Sequence, residues 1–484
     1  MFYILFGHSY VNEIQAVSQI FYPNEKFAAA DEPAPGGITV VSALDGRECR
    51  GMVYNNGEFV ASAHITLKSA GAADSAPDEK KERGGLSAAL FDALREATGI
   101  TPAWGVLSGI RPTKIVHELW RAGATDEEVF ARLTDERRVT AKKASLCIDI
   151  AKAEKYILNH NDGRDMSLYV GIPFCPTRCL YCSFTSYPAA KYSHRLDEYL
   201  DTLEREMAAT CGYAGDRHIE SVYVGGGTPT TLGDMQLERL LIILHKYFKI
   251  EKAREFTVEA GRPDTLTPRN LCLMKKYGAT RLAINPQTLC DETLERIGRA
   301  HTAEMFRHAF EWARAEGHGN INVDLIAGLP GETPEHMSRT MDQVLALRPE
   351  SVTVHTLAIK RASLFKENLE QYNFPGPDEI EEMLRVARKS TARAGLYPYY
   401  MYRQKNMLGN FENTGYCAKD RECLYNVQIM EERQSILALG AGAVTKAVDL
   451  ERGLVERAFN VKNVDEYIRR LDEMLARKRK ILHM

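Results

Sequence analysis

Hydrophobic and polar positions change their period several times along the chain. Over residues 1–67 short apolar runs alternate with turn residues. Phe2–Phe6, Ile38–Leu44, Cys49–Tyr54 and Glu58–Thr66 read as strands, Val11–Phe21 as a helix, and Asn55-Asn56-Gly57 as a hairpin turn. Lys68 to Gly85 is small, polar and charged, and reads as a flexible linker. Helical spacing returns at Leu86–Thr98 and Thr140–Asn159. Between them Pro112–Ala122 opens on a first-turn proline, and Thr125-Asp-Glu-Glu128 is a capping-box signature.

From Asp165 to about Arg393 the pattern becomes a regular alternation. Strands are expected at Ser167–Gly171, Ser221–Val224, Glu255–Ala260, Thr280–Ile284, Ile321–Ile326 and Ser351–Leu357. Amphipathic helices are expected between them, at Leu196–Ala209, Met235–Phe248, Pro268–Tyr277, Ala303–Glu316 and Pro334–Leu347. Strand–helix alternation of this kind implies βαβ crossovers and a parallel sheet. Six strands fall short of a closed eight-stranded barrel, so the expected class is α/β with a partial (β/α)6 barrel. The division expected is a small α/β domain over 1–67, a linker and helical connection over 68–164, the partial barrel over 165–393, and a small mixed region over 394–484 packed beside it. A terminal helix is expected at Val464–Arg479.

Composition narrows the class. Of 484 residues 44% are hydrophobic, which excludes a disordered or collagen-like chain. The 62 basic and 65 acidic side chains leave a formal charge of −3, which gives no electrostatic reason to expect nucleic acid as a partner. No apolar run approaches a membrane span, and the first residues lack the pattern of a signal peptide. The expected location is the reducing cytoplasm, where clustered cysteines bind metal or do redox chemistry.

One cluster stands out among the ten cysteines. In Tyr169-Val-Gly-Ile-Pro-Phe-Cys175-Pro-Thr-Arg-Cys179-Leu-Tyr-Cys182-Ser-Phe184, three thiols fall within eight residues directly after the first barrel strand. Three thiolates on one loop can hold three irons of a cubane and leave the fourth iron open to a ligand. Zinc would call for a second pair of ligands, and none lies nearby; buried structural thiols would fall on periodic core positions rather than in a loop with Pro173 and Pro176. Cys417 and Cys423 have a spacing that suits no standard site.

Cys-x3-Cys-x2-Cys after one strand and Gly225-Gly-Gly-Thr-Pro229 after the next resemble the radical S-adenosylmethionine (SAM) superfamily, and more narrowly the oxygen-independent coproporphyrinogen III oxidases and their haem-chaperone relatives. Tyr402-Arg-Gln-Lys-Asn-Met-Leu-Gly-Asn410 and Trp104-Gly-Val-Leu-Ser-Gly-Ile-Arg-Pro-Thr113 point to the HemZ-type branch. The resemblance implies a [4Fe-4S] cluster on Cys175, Cys179 and Cys182. It implies SAM contacts from Gly226, Gly227, Thr228, Glu259, Gln287, Arg299 and Asp324, with Tyr169, Tyr181 and Ala358 as further contact positions. Two residues support this physically. Glu259 ends a barrel strand on the usual ligand side, and Asp324 is a lone carboxylate in an apolar strand.

The implied reaction is oxidative decarboxylation of coproporphyrinogen III propionates to vinyl groups, giving protoporphyrinogen IX. The implied partners are this tetrapyrrole, or haem, and an electron donor such as flavodoxin or ferredoxin. Two positions depart from the oxidases: Phe184 stands where they carry another cysteine, and Gly171 where they carry a histidine. The chaperone relatives share the phenylalanine, so a haem-trafficking role that keeps the cluster is the alternative. His355 is either a haem or propionate contact or a structural histidine. Arg403 and Lys405 are either a carboxylate clamp or a solvated basic face, and Arg477-Lys-Arg-Lys480 reads as a charged helix end.

Overall fold

The computed structural model describes residues 1–23, 25–67, 78–109, 111–160, 163–184, 186–213, 217–360, 362–367, 369–404 and 407–482. Two compact units emerge, Met1–Ala151 and Lys152–Met484.

In the first unit, strands Phe2–Phe6, Ile38–Asp45, Glu48–Asn55 and Glu58–Thr66 form a sheet, with a short strand Ala28–Ala29 at its edge. The hairpin turns through Asn56 and Gly57, both at positive φ, as the sequence leads one to expect. Residues 68–77 of the expected linker lie outside the described residues. Its remainder is helical: Asp78 accepts the backbone N–H groups of Lys80 and Lys81 and starts a helix over Glu79–Thr98. The exposed polar face of the first turns hides this helix from a hydrophobic reading. Leu86, Leu90, Phe91 and Leu94 bury its other face in one core with Ile14, Val17, Phe21 and Val40. That helix therefore belongs to the fold of the first unit instead of connecting it to something else.

The second unit carries the six expected strands: β1 (Asp165–Ile172), β2 (His218–Gly226), β3 (Glu255–Gly261), β4 (Arg281–Ile284), β5 (Ile321–Ala327) and β6 (Ser351–Thr356). They pair parallel in sequence order. Their residues are almost all buried, because helices cover such a sheet. Helices Leu196–Thr210, Asp234–Tyr247, Pro268–Lys276, Ala303–Ala315 and Pro334–Ala346 fall where the apolar spacing places them. This is the partial (β/α)6 barrel.

The stretch after residue 393 joins that sheet instead of packing beside it. Strands β7 (Tyr397–Tyr402) and β8 (Asn413–Cys417) extend it beyond β6, while β9 (Ser435–Leu439), β10 (Val444–Asp449) and β11 (Leu454–Phe459) extend it beyond β1. These strands are short and interrupted, so their alternation is too brief to read from sequence. The expected terminal helix is two, Val464–Arg469 and Leu471–Leu482. Its basic end is not simply solvated: Lys478 is fully buried, with its ammonium 2.5 Å from the equally buried Glu206. Gly440 N–H, Asn460 and the Tyr467 hydroxyl also donate to Glu206.

Register positions the functional residues. Gly171 pairs with Gly225 and Ile172 with Gly226, so the glycine run lies alongside the end of β1, just ahead of the cysteine loop. Val224 pairs with Val258, which sets Glu259 at the level of Gly225.

Candidate functional site

The cysteine loop is fixed by backbone bonds to neighbouring loops. Leu180 N–H donates to the Ile297 carbonyl, and the Leu180 carbonyl accepts from Phe365 N–H. Cys179 is buried, while Cys175 and Cys182 are partly exposed. Three thiols on one loop, one buried and two partly exposed, suit the thiolate ligation of an iron–sulfur cluster. Burial pushes the Cys175 thiol up to about 11, with Cys182 and Cys179 adding to the shift, and Cys182 is raised as well. Thiolate ligation must therefore displace protons that the free loop retains.

Each glycine of the run Gly225–Gly227 is required for a different reason. A Cβ on Gly225 would lie 2.6 Å from a Glu259 carboxylate oxygen and 2.7 Å from the Tyr223 ring. Gly226 has φ +108°, and a Cβ on Gly227 would meet the carbonyl oxygens of Phe174 at 2.6 Å and Ile172 at 2.9 Å. Gly227 and Thr228 donate their N–H groups to those same two residues, Ile172 and Phe174. The Thr228 hydroxyl lies 3.6 Å from the Cys175 sulfur.

Burial and the charge of Asp324 push the Glu259 carboxyl up to about 8. Burial also works against the charge of Asp324, but His355 and Asn322 hold its pKa below the ordinary value. Asn322 Nδ2 donates to one Asp324 oxygen at 2.6 Å; His355 Nε2 lies 3.6 Å from the other, and Tyr402 hydroxyl 3.2 Å from His355 Nδ1. Two carboxyl groups thus hold opposite protonation states near neutral pH.

Gln287, at φ +73°, donates its N–H to the Asp324 carbonyl and accepts from Ile326 N–H. Arg299 is buried; it donates to the Asn285 carbonyl at 2.6 Å and to the Tyr181 hydroxyl at 3.0 and 3.3 Å. The side-chain oxygens of Asn285 and Gln287 are buried with no donor among the described residues. A ligand bearing amine and hydroxyl donors would satisfy them. Tyr169 stacks with Tyr223 and Tyr425; burial raises its pKa, and the nearby Glu259 adds to the rise.

The structure thus links the expected residues in pairs: Cys175 with Thr228, Tyr181 with Arg299, Glu259 with the glycine run, and Asp324 with Gln287. Ala358 stands apart, bridged to Met407. His355 serves Asp324. Arg403 is buried, not a solvated basic residue, and donates to Asn410; Lys405 lies outside the described residues. Phe184 is two-thirds exposed.

Sequence reasoning missed Arg262. A register shift at the end of β3, with Gly261 at φ +50°, turns this residue toward the cysteine loop. Its guanidinium lies 3.8 Å from the Cys179 sulfur, donates to the Thr177 hydroxyl at 2.8 Å, and forms a two-pronged ion pair with Asp264. A charged residue at the end of a barrel strand is the signal that singled out Glu259, and it applies equally here.

A family model described as the radical SAM superfamily matches residues 169–344. The oxygen-independent coproporphyrinogen-III oxidase-like protein HemZ of Bacillus subtilis is 37% identical over 83% of this chain and 81% of its own length. The haem chaperone HemW of the same organism is 32% identical over 57% of this chain and 70% of its own. The structure of the Escherichia coli coproporphyrinogen III oxidase HemN, described as a radical SAM enzyme, superposes with a TM-score of 0.52 at 24% identity, covering 67% of this chain and 73% of that one.

Proposed function

Because this chain belongs to the oxygen-independent coproporphyrinogen III oxidase-like family of the radical SAM superfamily, we propose that it oxidatively decarboxylates coproporphyrinogen III. The superfamily uses a [4Fe-4S] cluster and SAM. Cys175, Cys179 and Cys182 would hold the cluster, and the glycine run with Glu259 would receive SAM. The chemistry these groups supply when bound is a radical able to abstract hydrogen. A propionate side chain would then give up one β-hydrogen atom to that radical, lose carbon dioxide, and pass one electron to an external one-electron acceptor to become vinyl; two such conversions give protoporphyrinogen IX.

The observation supporting this reading is that Gln287 is bonded through its backbone to Asp324, while Arg299 is held on the carbonyl of Asn285, two residues before Gln287. The resemblance assigns Gln287, Arg299 and Asp324 to SAM binding in the oxidases. In that role Arg299 offers a fixed cation for a carboxylate, Asp324 an ionised acceptor, and protonated Glu259 both a donor and an acceptor. A low-potential electron donor such as flavodoxin or ferredoxin, and a cytoplasmic setting, complete the reading.

The test is anaerobic incubation of the reconstituted protein with SAM, a reductant and coproporphyrinogen III. Protoporphyrinogen IX with release of carbon dioxide is the expected result. A chain carrying four irons that gives no product overturns the proposal.

One observation favours a second reading. Phe184 is exposed at the position where the oxidases carry a further cysteine and the chaperones a phenylalanine. Stoichiometric haem uptake without turnover would support a haem-trafficking role.

A further inference from the structure

Arg262 has no place in the resemblance, yet its guanidinium is held from both edges, by Thr177 and by Asp264. It is 2% exposed, and the backbone before it is bent: Arg262 N–H donates to the Ala260 carbonyl at 2.6 Å, and Gly261 takes positive φ. That bend carries the guanidinium off β3 and onto the cysteine loop. One amino nitrogen reaches the Cys179 sulfur at 3.8 Å and both the hydroxyl (2.8 Å) and the carbonyl (3.3 Å) of Thr177. Asp264 holds the opposite edge of the fork at 2.9 and 2.7 Å, which fixes where the charge sits.

We propose that Arg262 is a positioning residue for the iron–sulfur cluster, acting through Cys179: its N–H donor and its charge raise the reduction potential, and Asp264 sets how much of that charge the cluster feels. Reduction adds one electron, delivered by an external low-potential donor, and makes or breaks no bond at Arg262. The added negative charge spreads onto the thiolate sulfurs. A buried cation and an N–H donor at one of those sulfurs therefore stabilise the reduced state more than the oxidised one. In a poorly screened interior this difference is not lost to solvent. The inference rests on the cluster alone and not on the identity of the tetrapyrrole.

A brace for the loop would use the same contacts, so the test reads a quantity that bracing does not move. Wild type, Arg262→Gln, Arg262→Lys and Asp264→Asn are reconstituted anaerobically as the full chain. Iron and sulfide are counted, and the cluster is titrated with dithionite under EPR in the absence of SAM. Arg262→Gln is expected to lower the reduced-to-oxidised ratio at fixed potential about tenfold, equivalent to about 59 mV for a one-electron couple. Asp264→Asn, which unmasks the cation, is expected to shift the potential the opposite way, and Arg262→Lys to fall between Arg262→Gln and wild type.

Opposite signs for Arg262→Gln and Asp264→Asn support the proposal. Shifts of the same sign, or none, at wild-type iron content overturn it. If Arg262→Gln holds no iron, a positive shift in Asp264→Asn still supports the proposal, and its absence overturns it. A wild-type chain that assembles no cluster fails before any titration, and that failure concerns the cofactor and not Arg262.

Discussion

Glu259 on β3 and Asp324 on β5 hold opposite protonation states near neutrality, and the charge of the second helps to keep the first protonated. Environment alone separates two chemically similar groups, giving the site one ionised acceptor and one neutral acid.

This pair gives stability an unusual dependence on pH. The Glu259 carboxyl titrates at about 8 in the folded state against an ordinary 4.5. Between those values the folded protein holds a proton that the unfolded chain has lost, so this group makes stability fall as pH rises through the window. Asp324 runs the other way: its pKa is depressed, so its contribution is present above the ordinary value of 3.8 and is lost in acid. Urea denaturation at pH 5 and pH 8 should show a smaller loss on raising pH for Glu259→Gln than for the wild type. Equal losses would sink this assignment.

Replacing His355 by Phe should remove the partner that holds Asp324 ionised. The Asp324 pKa then rises, its charge on Glu259 weakens, and SAM affinity at neutral pH falls severalfold. Equilibrium dialysis with SAM against pH checks this. An unchanged profile would leave His355 a bystander.

Gly227→Ala drives a methyl group against two backbone carbonyl oxygens, neither of which can swing aside as a side chain would. The expected cost is about 1–3 kcal/mol, with weakened cluster incorporation because Phe174 leads into Cys175. Denaturation midpoint and iron content read the two effects separately.

Lys478→Met strands a fully buried Glu206 carboxylate without its cation. Loss of one partner of such a pair costs about 3–5 kcal/mol. The double variant Glu206→Gln with Lys478→Met should recover much of that loss. Urea titrations of the two variants make the comparison, and equal losses in both would contradict it.

The sequence was most legible where the structure repeats itself. Six strands buried on both faces, each followed by an amphipathic helix, leave apolar runs whose spacing is visible locally, and the thiol triplet is confined to eight residues. What escaped is long-range. Tyr402 reaches His355 across 47 residues, and Lys478 reaches Glu206 across 272. No local period marks either contact. Arg262 escaped for another reason: a single shift of register aims it, and residues just before the shift read as ordinary strand. The helix over Glu79–Thr98 was hidden at its start because its first turns are solvated and charged, so only the cap at Asp78 marks where it begins.

The strands on both flanks of the barrel sheet come from one continuous tail, with β7 and β8 at one margin and β9 to β11 at the other. An exchange of this tail with a relative therefore cannot rebuild one flank and spare its opposite. A chimera cut at residue 393 replaces both walls in one step, whereas a crossover between Cys417 and Ser435 is the place to trade a single wall.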